Sequence, residues 1–135
     1  MSSFTSPLIV SPMPDGKCWK LLKRFTYRIG KRYSRHMVSV PVNYPTDFAS
    51  IPRIVWLLLP WWAKFNKASV LHDWLYFIKK IMDKPITRKQ ADDLWLEAML
   101  IDFRLHRHGR LIAYVEYYAV RTFAWSAWRK RRQLR

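Results

Sequence analysis

The stretch VLHDWLYFIKKIMDKPITRKQADDLW, residues 70–95, decides how this chain folds. The pattern from Asn66 to about Lys80 suits a helix, and MDKPIT (82–87) breaks it. Thr87 with Gln90 three residues later forms a capping box, which predicts a second helix from about Arg88 to Phe103. So short a connection makes the two helices antiparallel. His72 and Tyr76 share a face of the first helix, and Asp73 points about 100° away. Asp92 lies about 7.5 Å beyond Thr87, and His72 lies about 10 Å below the tip if the first helix ends near Lys79. The two side chains are then level. A helix continuing to Met82 would part them.

Outward from this pair, both flanks have readable patterns. Trp19, Leu21, Lys23, Phe25 and Tyr27 alternate with mostly basic or polar residues, and Val38, Val40 and Val42 repeat the period of two around Gly30. This predicts an antiparallel hairpin or small sheet, with Pro41 favouring an edge. NYPTDFASIPR (43–53) is an irregular loop, and IVWLLLPWWAKF (54–65) is a short apolar segment. RLHRHGR (104–110) is a basic turn, with His106 and His108 solvated. A third helix follows from Arg110 to about Arg129, and helical spacing assigns Leu111, Tyr114 or Val115, Tyr118 and Trp125 to its core stripe. Its basic end RKRRQLR complements the helix dipole.

The expected fold is therefore α+β, with an N-terminal antiparallel hairpin or small sheet packed on a bundle of three main helices. It is read as one domain over 1–135: an arm (1–16), the hairpin (17–43), a loop and apolar segment (44–65), the three-helix region (66–129) and a basic tail (130–135). A formal net charge of +16 calls for an anionic partner, whether nucleic acid, a phospholipid surface or an acidic protein face. The lone Cys18 excludes an internal disulfide framework and a cysteine-rich metal site. No signal peptide is visible, and the longest apolar run, 54–63, is too short to span a bilayer and contains Pro60. Within the apolar C-terminal stretch lie two charged residues, Glu116 and Arg121. Trp56, Trp61 and Trp62 either cap the core or insert at a membrane interface.

Chemistry concentrates at His72. A facing carboxylate would fix its tautomer and stabilise the imidazolium, so that His72 could act as a general base on water. Asp73 and the loop residue Asp47 would be left to hold a hard cation in an oxygen shell, which suits calcium better than zinc. The alternative is a buried, hydrogen-bonded core cluster with no catalytic role.

The order His72-Asp73-Trp74-Leu75-Tyr76, followed by Asp92, resembles the core of phospholipase A2 enzymes. In that superfamily an H-D-x-x-Y helix supplies the base and a calcium-ligating aspartate, and an antiparallel helix supplies the aspartate that orients the base. The resemblance implies His72 as base, Asp73 as calcium ligand, Asp92 as orienter and Tyr76 as a partner of Asp92. The superfamily's glycine-rich calcium loop and disulfides have no counterpart, since the loop of Asp47 holds prolines and no glycine. Across Trp19 to Trp128, the blocks VPVNYPTDFASIPR, KASVLHDWLY, RKQADDLWLEAM and YYAVRTFAWSAW resemble a small phage and prophage family, domain of unknown function 1353. The ADDLW context of that family favours Asp92 over Asp93 as the partner of His72.

The expected function is a phage-encoded, calcium-dependent hydrolase of the phospholipase A2 type, acting on a lipid ester at an anionic membrane. The alternative is a non-enzymatic basic virion or assembly protein that binds nucleic acid or another phage protein. The expected location is the virion or the host bacterial cytoplasm.

Overall fold

The structure is a computed structural model that describes residues 3–4, 7–14, 18–30, 35–46, 59–60, 63, 66–123 and 128. Three helices form one half: α1 Lys67–Ile78, α2 Arg88–Asp102 and α3 Gly109–Phe123. Two small antiparallel sheets form the other. One has the order β1 (Ser3–Phe4), β4 (Phe25–Arg28), β5 (Met37–Val40). The second has the order β2 (Val10–Pro12), β3 (Trp19–Leu21), β6 (Pro45–Thr46). The fold is α+β, with the sheets packed on the helices.

The alternation from Trp19 to Tyr27 belongs to two strands in different sheets rather than to one. The chain bends at Leu22 and Lys23, and both side chains are exposed. The period of two still places Leu21, Phe25 and Tyr27 inside, because each short strand keeps its own alternation. The hairpin is β4–β5, with Thr26 opposite Ser39 and Tyr27 opposite Val38. Gly30 lies just past β4 at φ +89, a conformation that suits glycine. β5 is an edge strand that stops before Pro41, so Val38 and Val40 are buried and Val42 is exposed. The N-terminal arm supplies strands β1 and β2.

The first helix ends where the level argument needs it to end. Asn66 caps its start by accepting from the Ser69 amide, and Lys79 closes its end in the left-handed conformation. The break 80–85 is a tight hairpin, β7 (Lys80–Ile81) with β8 (Lys84–Pro85). Its turn residues Met82 and Asp83 both have positive φ, as a type I′ turn requires. The capping box of Thr87 and Gln90 then starts α2. At the far end of the pair, the Asp102 carboxyl lies beside the Lys67 and Ala68 amides at the N-terminus of α1. Both ends of the antiparallel pair are thus fixed by polar contacts.

Two apolar clusters fill the interior. The larger joins Tyr27 and Val38 to Leu71, Leu75, Trp95, Met99, Phe103 and Val120. The smaller gathers Leu21, Phe25, Val40 and Tyr44 against Val70 of α1. Tyr27 also donates to Glu97 of α2 at 2.6 Å, which ties the hairpin to the helices.

The third helix is rotated from the expected register. Its buried face is Ala113, Glu116, Tyr117 and Val120, whereas Leu111, Val115 and Tyr118 are exposed and Tyr114 is half-buried. Apolar residues occur around most of this helix, so spacing alone did not single out a face. Small Ala113 allows the close packing that larger side chains would prevent. Trp125 of the expected stripe, Trp56, Trp61, Trp62 and the tail 130–135 lie outside the described residues.

The turn between α2 and α3 is compact. A Cβ added to Gly109 would sit 2.1 Å from the Phe103 carbonyl oxygen. Phe103 is buried and cannot easily yield. Gly109→Ala is therefore expected to cost about 1–3 kcal/mol, read as a lower urea midpoint. An unchanged midpoint would contradict this close approach.

Candidate functional site

Asp92 stands at the centre of a network drawn from three helices. His72 Nε2 lies 2.7 Å from Asp92 Oδ1, and the Tyr76 hydroxyl donates to the same oxygen at 2.6 Å. On the other oxygen, Arg121 Nη1 donates at 2.8 Å from α3, and Arg88 Nη1 approaches to 3.7 Å. His72 is 1% exposed and Asp92 0%. Tyr76 and Asp73 are buried as well.

The electrostatics follow from these partners. Burial alone pushes the Asp92 carboxyl up. The hydrogen bond and charge of His72, with the bonds from Tyr76 and Arg121, outweigh burial and hold it below the ordinary carboxylate range. An ionised carboxylate only accepts, so the imidazole donates Nε2–H to it, and whenever the ring is neutral its lone pair is on Nδ1. The Tyr76 phenol is pushed up, first by burial and then by the Asp92 charge, so it stays a hydroxyl donor. Above and beside the imidazole, Trp95 stacks at 4.2 Å and Tyr76 tilts at 4.3 Å between centroids. The ring is therefore fixed in both tautomer and plane.

Of the residues singled out in the sequence, His72, Tyr76 and Asp92 are brought together. Asp93, the rival, is half-exposed and pairs instead with Lys89 and the Tyr117 hydroxyl. Asp73 sits on α1 about a quarter turn from His72 and is buried. Asp47 lies outside the described residues. β6, which immediately precedes it in the chain, packs against α1. Among the described residues no group of three or more His, Cys, Asp or Glu is placed to hold a metal ion. Asp73 alone supplies far fewer oxygens than the six to eight that calcium takes. His106 and His108 are exposed, as expected.

Sequence reasoning missed Arg121, Arg88 and Trp95 as parts of the network. The signal for Arg121 was its presence in an otherwise apolar stretch. Arg88 stands four residues before Asp92, at the spacing of neighbours on a helix face, and also donates to the Val120 and Arg121 carbonyls. A cavity of about 320 Å³ between β5, α1 and the β7–β8 hairpin is lined in part by Val38, Trp74, Ile78 and Ile81, and reaches none of the site residues.

The second charge in the apolar stretch behaves differently. Glu116 is 0% exposed, and neither carboxyl oxygen has a hydrogen-bond partner among the described residues. Burial pushes its carboxyl up to about 9, so it is neutral at pH 7.

Residues 19–120 match the family described as "Protein of unknown function (DUF1353)". No curated protein and no solved structure matches the chain.

The raised carboxyl of Glu116 has a signed consequence. A glutamate in the unfolded chain titrates near about 4.3. The folded value is higher, so the group's contribution is intact below about pH 4 and is lost as pH rises towards 9. The slope in that window is about 1.4 kcal/mol per pH unit. Glu116→Gln is neutral throughout, so it is expected to flatten this decline and to melt above the wild type at about pH 8. Parallel melting curves for the two proteins across the window would contradict the burial of this carboxyl.

Proposed function

Since the chain belongs to the DUF1353 family, whose description assigns no activity, we propose its function from the site: a phage-encoded hydrolase of the phospholipase A2 type, cleaving a lipid ester at an anionic membrane. One observation carries the reading, the 2.7 Å contact between His72 Nε2 and Asp92 Oδ1, with Tyr76 on the same oxygen. That contact directs the basic lone pair to Nδ1. In the proposed step, Nδ1 takes a proton from water as the water oxygen attacks the ester carbonyl. Asp92 stabilises the imidazolium so formed. The proton then passes to the departing alkoxide, which leaves as an alcohol, and the acid remains.

Calcium enters this proposal through Asp73 and Asp47, and the other oxygen donors would have to come from outside the described residues. The ion would polarise the ester carbonyl. The proposed setting is the virion or the host cytoplasm. Among the described residues no helix is long and apolar enough to cross a membrane.

A second reading is favoured by a specific observation, the near-complete burial of His72, Asp73, Tyr76 and Asp92. On that reading the network only fixes helix register, and the protein is a basic phage assembly component that binds nucleic acid or another phage protein.

One mutant separates the two. On the hydrolase reading, His72→Asn removes the base and lowers lipid-ester hydrolysis about 100- to 10,000-fold, with the melting temperature nearly intact. On the structural reading it leaves Asp92 short of a donor and costs about 1–3 kcal/mol or more. A folded wild type that hydrolyses no phospholipid, together with an unstable His72→Asn, would sink the hydrolase reading.

The metal is tested apart from turnover. If Asp73 is a ligand, millimolar calcium is expected to raise the melting temperature, since a ligand selective for the folded state stabilises it. Asp73→Asn should abolish that gain. A wild-type melting curve indifferent to calcium and magnesium would remove the metal from the proposal.

A further inference from the structure

The rotation of α3 that buries Glu116 leaves an apolar stripe on the outside. Leu111, Val115 and Tyr118 are 64%, 45% and 63% exposed, and their spacing of four and three residues places them on one face. At the N-terminal end of the helix, Leu105 is 88% exposed. The turn that carries it is hydrogen-bonded, with His106 N donating to the Phe103 carbonyl at 3.0 Å and Gly109 N to that of His106 at 3.1 Å. Buried Phe103 and the close approach of Gly109 hold this turn in place. Leu105 is presented to solvent by a built turn.

Arg104, Arg107 and Arg110 surround the stripe's N-terminal end, and all three are exposed. Arg104 bonds its own helix at the Ile101 carbonyl, and Arg110 lies over the Tyr114 ring at 5.7 Å. Between residues 103 and 123 the sequence has one acid, Glu116, and it is buried. The exposed surface of this helix and turn therefore carries positive charge with no acidic side chain to offset it.

We propose that the outer face of α3, with the 104–110 turn, docks on an anionic lipid surface: Leu105, Leu111, Val115 and Tyr118 enter the acyl boundary, and the three arginines meet headgroup phosphates. Helices that lie in a membrane interface combine these two features, an apolar face and a cationic border. The aliphatic side chains decide against nucleic acid. Leucine and valine cannot stack on bases, and a phosphate backbone would leave them in water. This face names the partner of the proposed hydrolase and rests on that reading for the lipid alone, because docking does not need His72.

The test uses the full chain and flotation with vesicles of phosphatidylcholine, with or without phosphatidylglycerol. The wild type is expected to bind the anionic vesicles. Combining Leu105→Gln, Leu111→Gln and Val115→Gln should weaken that binding about tenfold or more, while duplex DNA retention and the circular-dichroism melt stay unchanged. Combining Arg104→Gln, Arg107→Gln and Arg110→Gln should remove the preference for phosphatidylglycerol. Should the aliphatic variant melt early, Leu105→Gln alone decides, with an expected loss of about threefold. Undiminished vesicle binding by the aliphatic variants overturns the proposal. So does an equal loss on duplex DNA, which would make the face a nucleic-acid surface, or a wild type that ignores anionic vesicles. His72→Asn should bind vesicles like the wild type. A chain that docks through this face and hydrolyses nothing supports the docking surface while overturning the hydrolase.

Discussion

Everything in the helical half depends on one buried carboxylate. Asp92 is taken out of water on α2 and holds its charge because donors reach it from α1 and α3. Charge-assisted bonds of this kind are stronger than neutral ones and specify geometry as well. Removing one partner from such a group typically costs about 3–5 kcal/mol, because the remaining charge stays buried. Each donor also fixes a helix: His72 and Tyr76 set the register of α1, and Arg121 sets that of α3. The same atoms that orient the His72 imidazole therefore also hold the bundle together.

Glu116 shows what happens to a carboxyl without such partners. It lies on the same helix as Arg121 and is equally shielded from water, yet burial meets no opposing donor among the described residues and the group stays neutral. Two carboxyls in one small core thus hold opposite charge states at pH 7. The difference lies in the donors, not in depth.

Placing Glu116 and Val120 inward also sets the outer surface of α3. A helix with apolar residues around most of its circumference must expose some of them once one face is chosen. Here the choice leaves Leu111, Val115 and Tyr118 outside beside a basic turn. The interior network and the exposed stripe are two consequences of a single rotation. The Arg121–Asp92 pair and the Tyr117–Asp93 bond, four residues apart on one face of α3, fix that rotation.

Local chemistry made much of this legible. Thr87 and Gln90 announced a helix start, and the break before them forced the antiparallel pair that sets Asp92 against His72. The alternation of Leu21, Phe25 and Tyr27 marked inward residues even though a bend splits the strand. These readings worked because capping, turn chemistry and periodicity act over a few residues. The type I′ turn at Met82 and Asp83 was less visible, since neither residue is the glycine or asparagine that usually supplies positive φ. Membership of the sheets, the rotation of α3, and the recruitment of Arg121, Arg88 and Trp95 to the site were decided only in three dimensions. They depend on long-range pairing and on which of several apolar faces packs best, and no short window of the chain contains that competition.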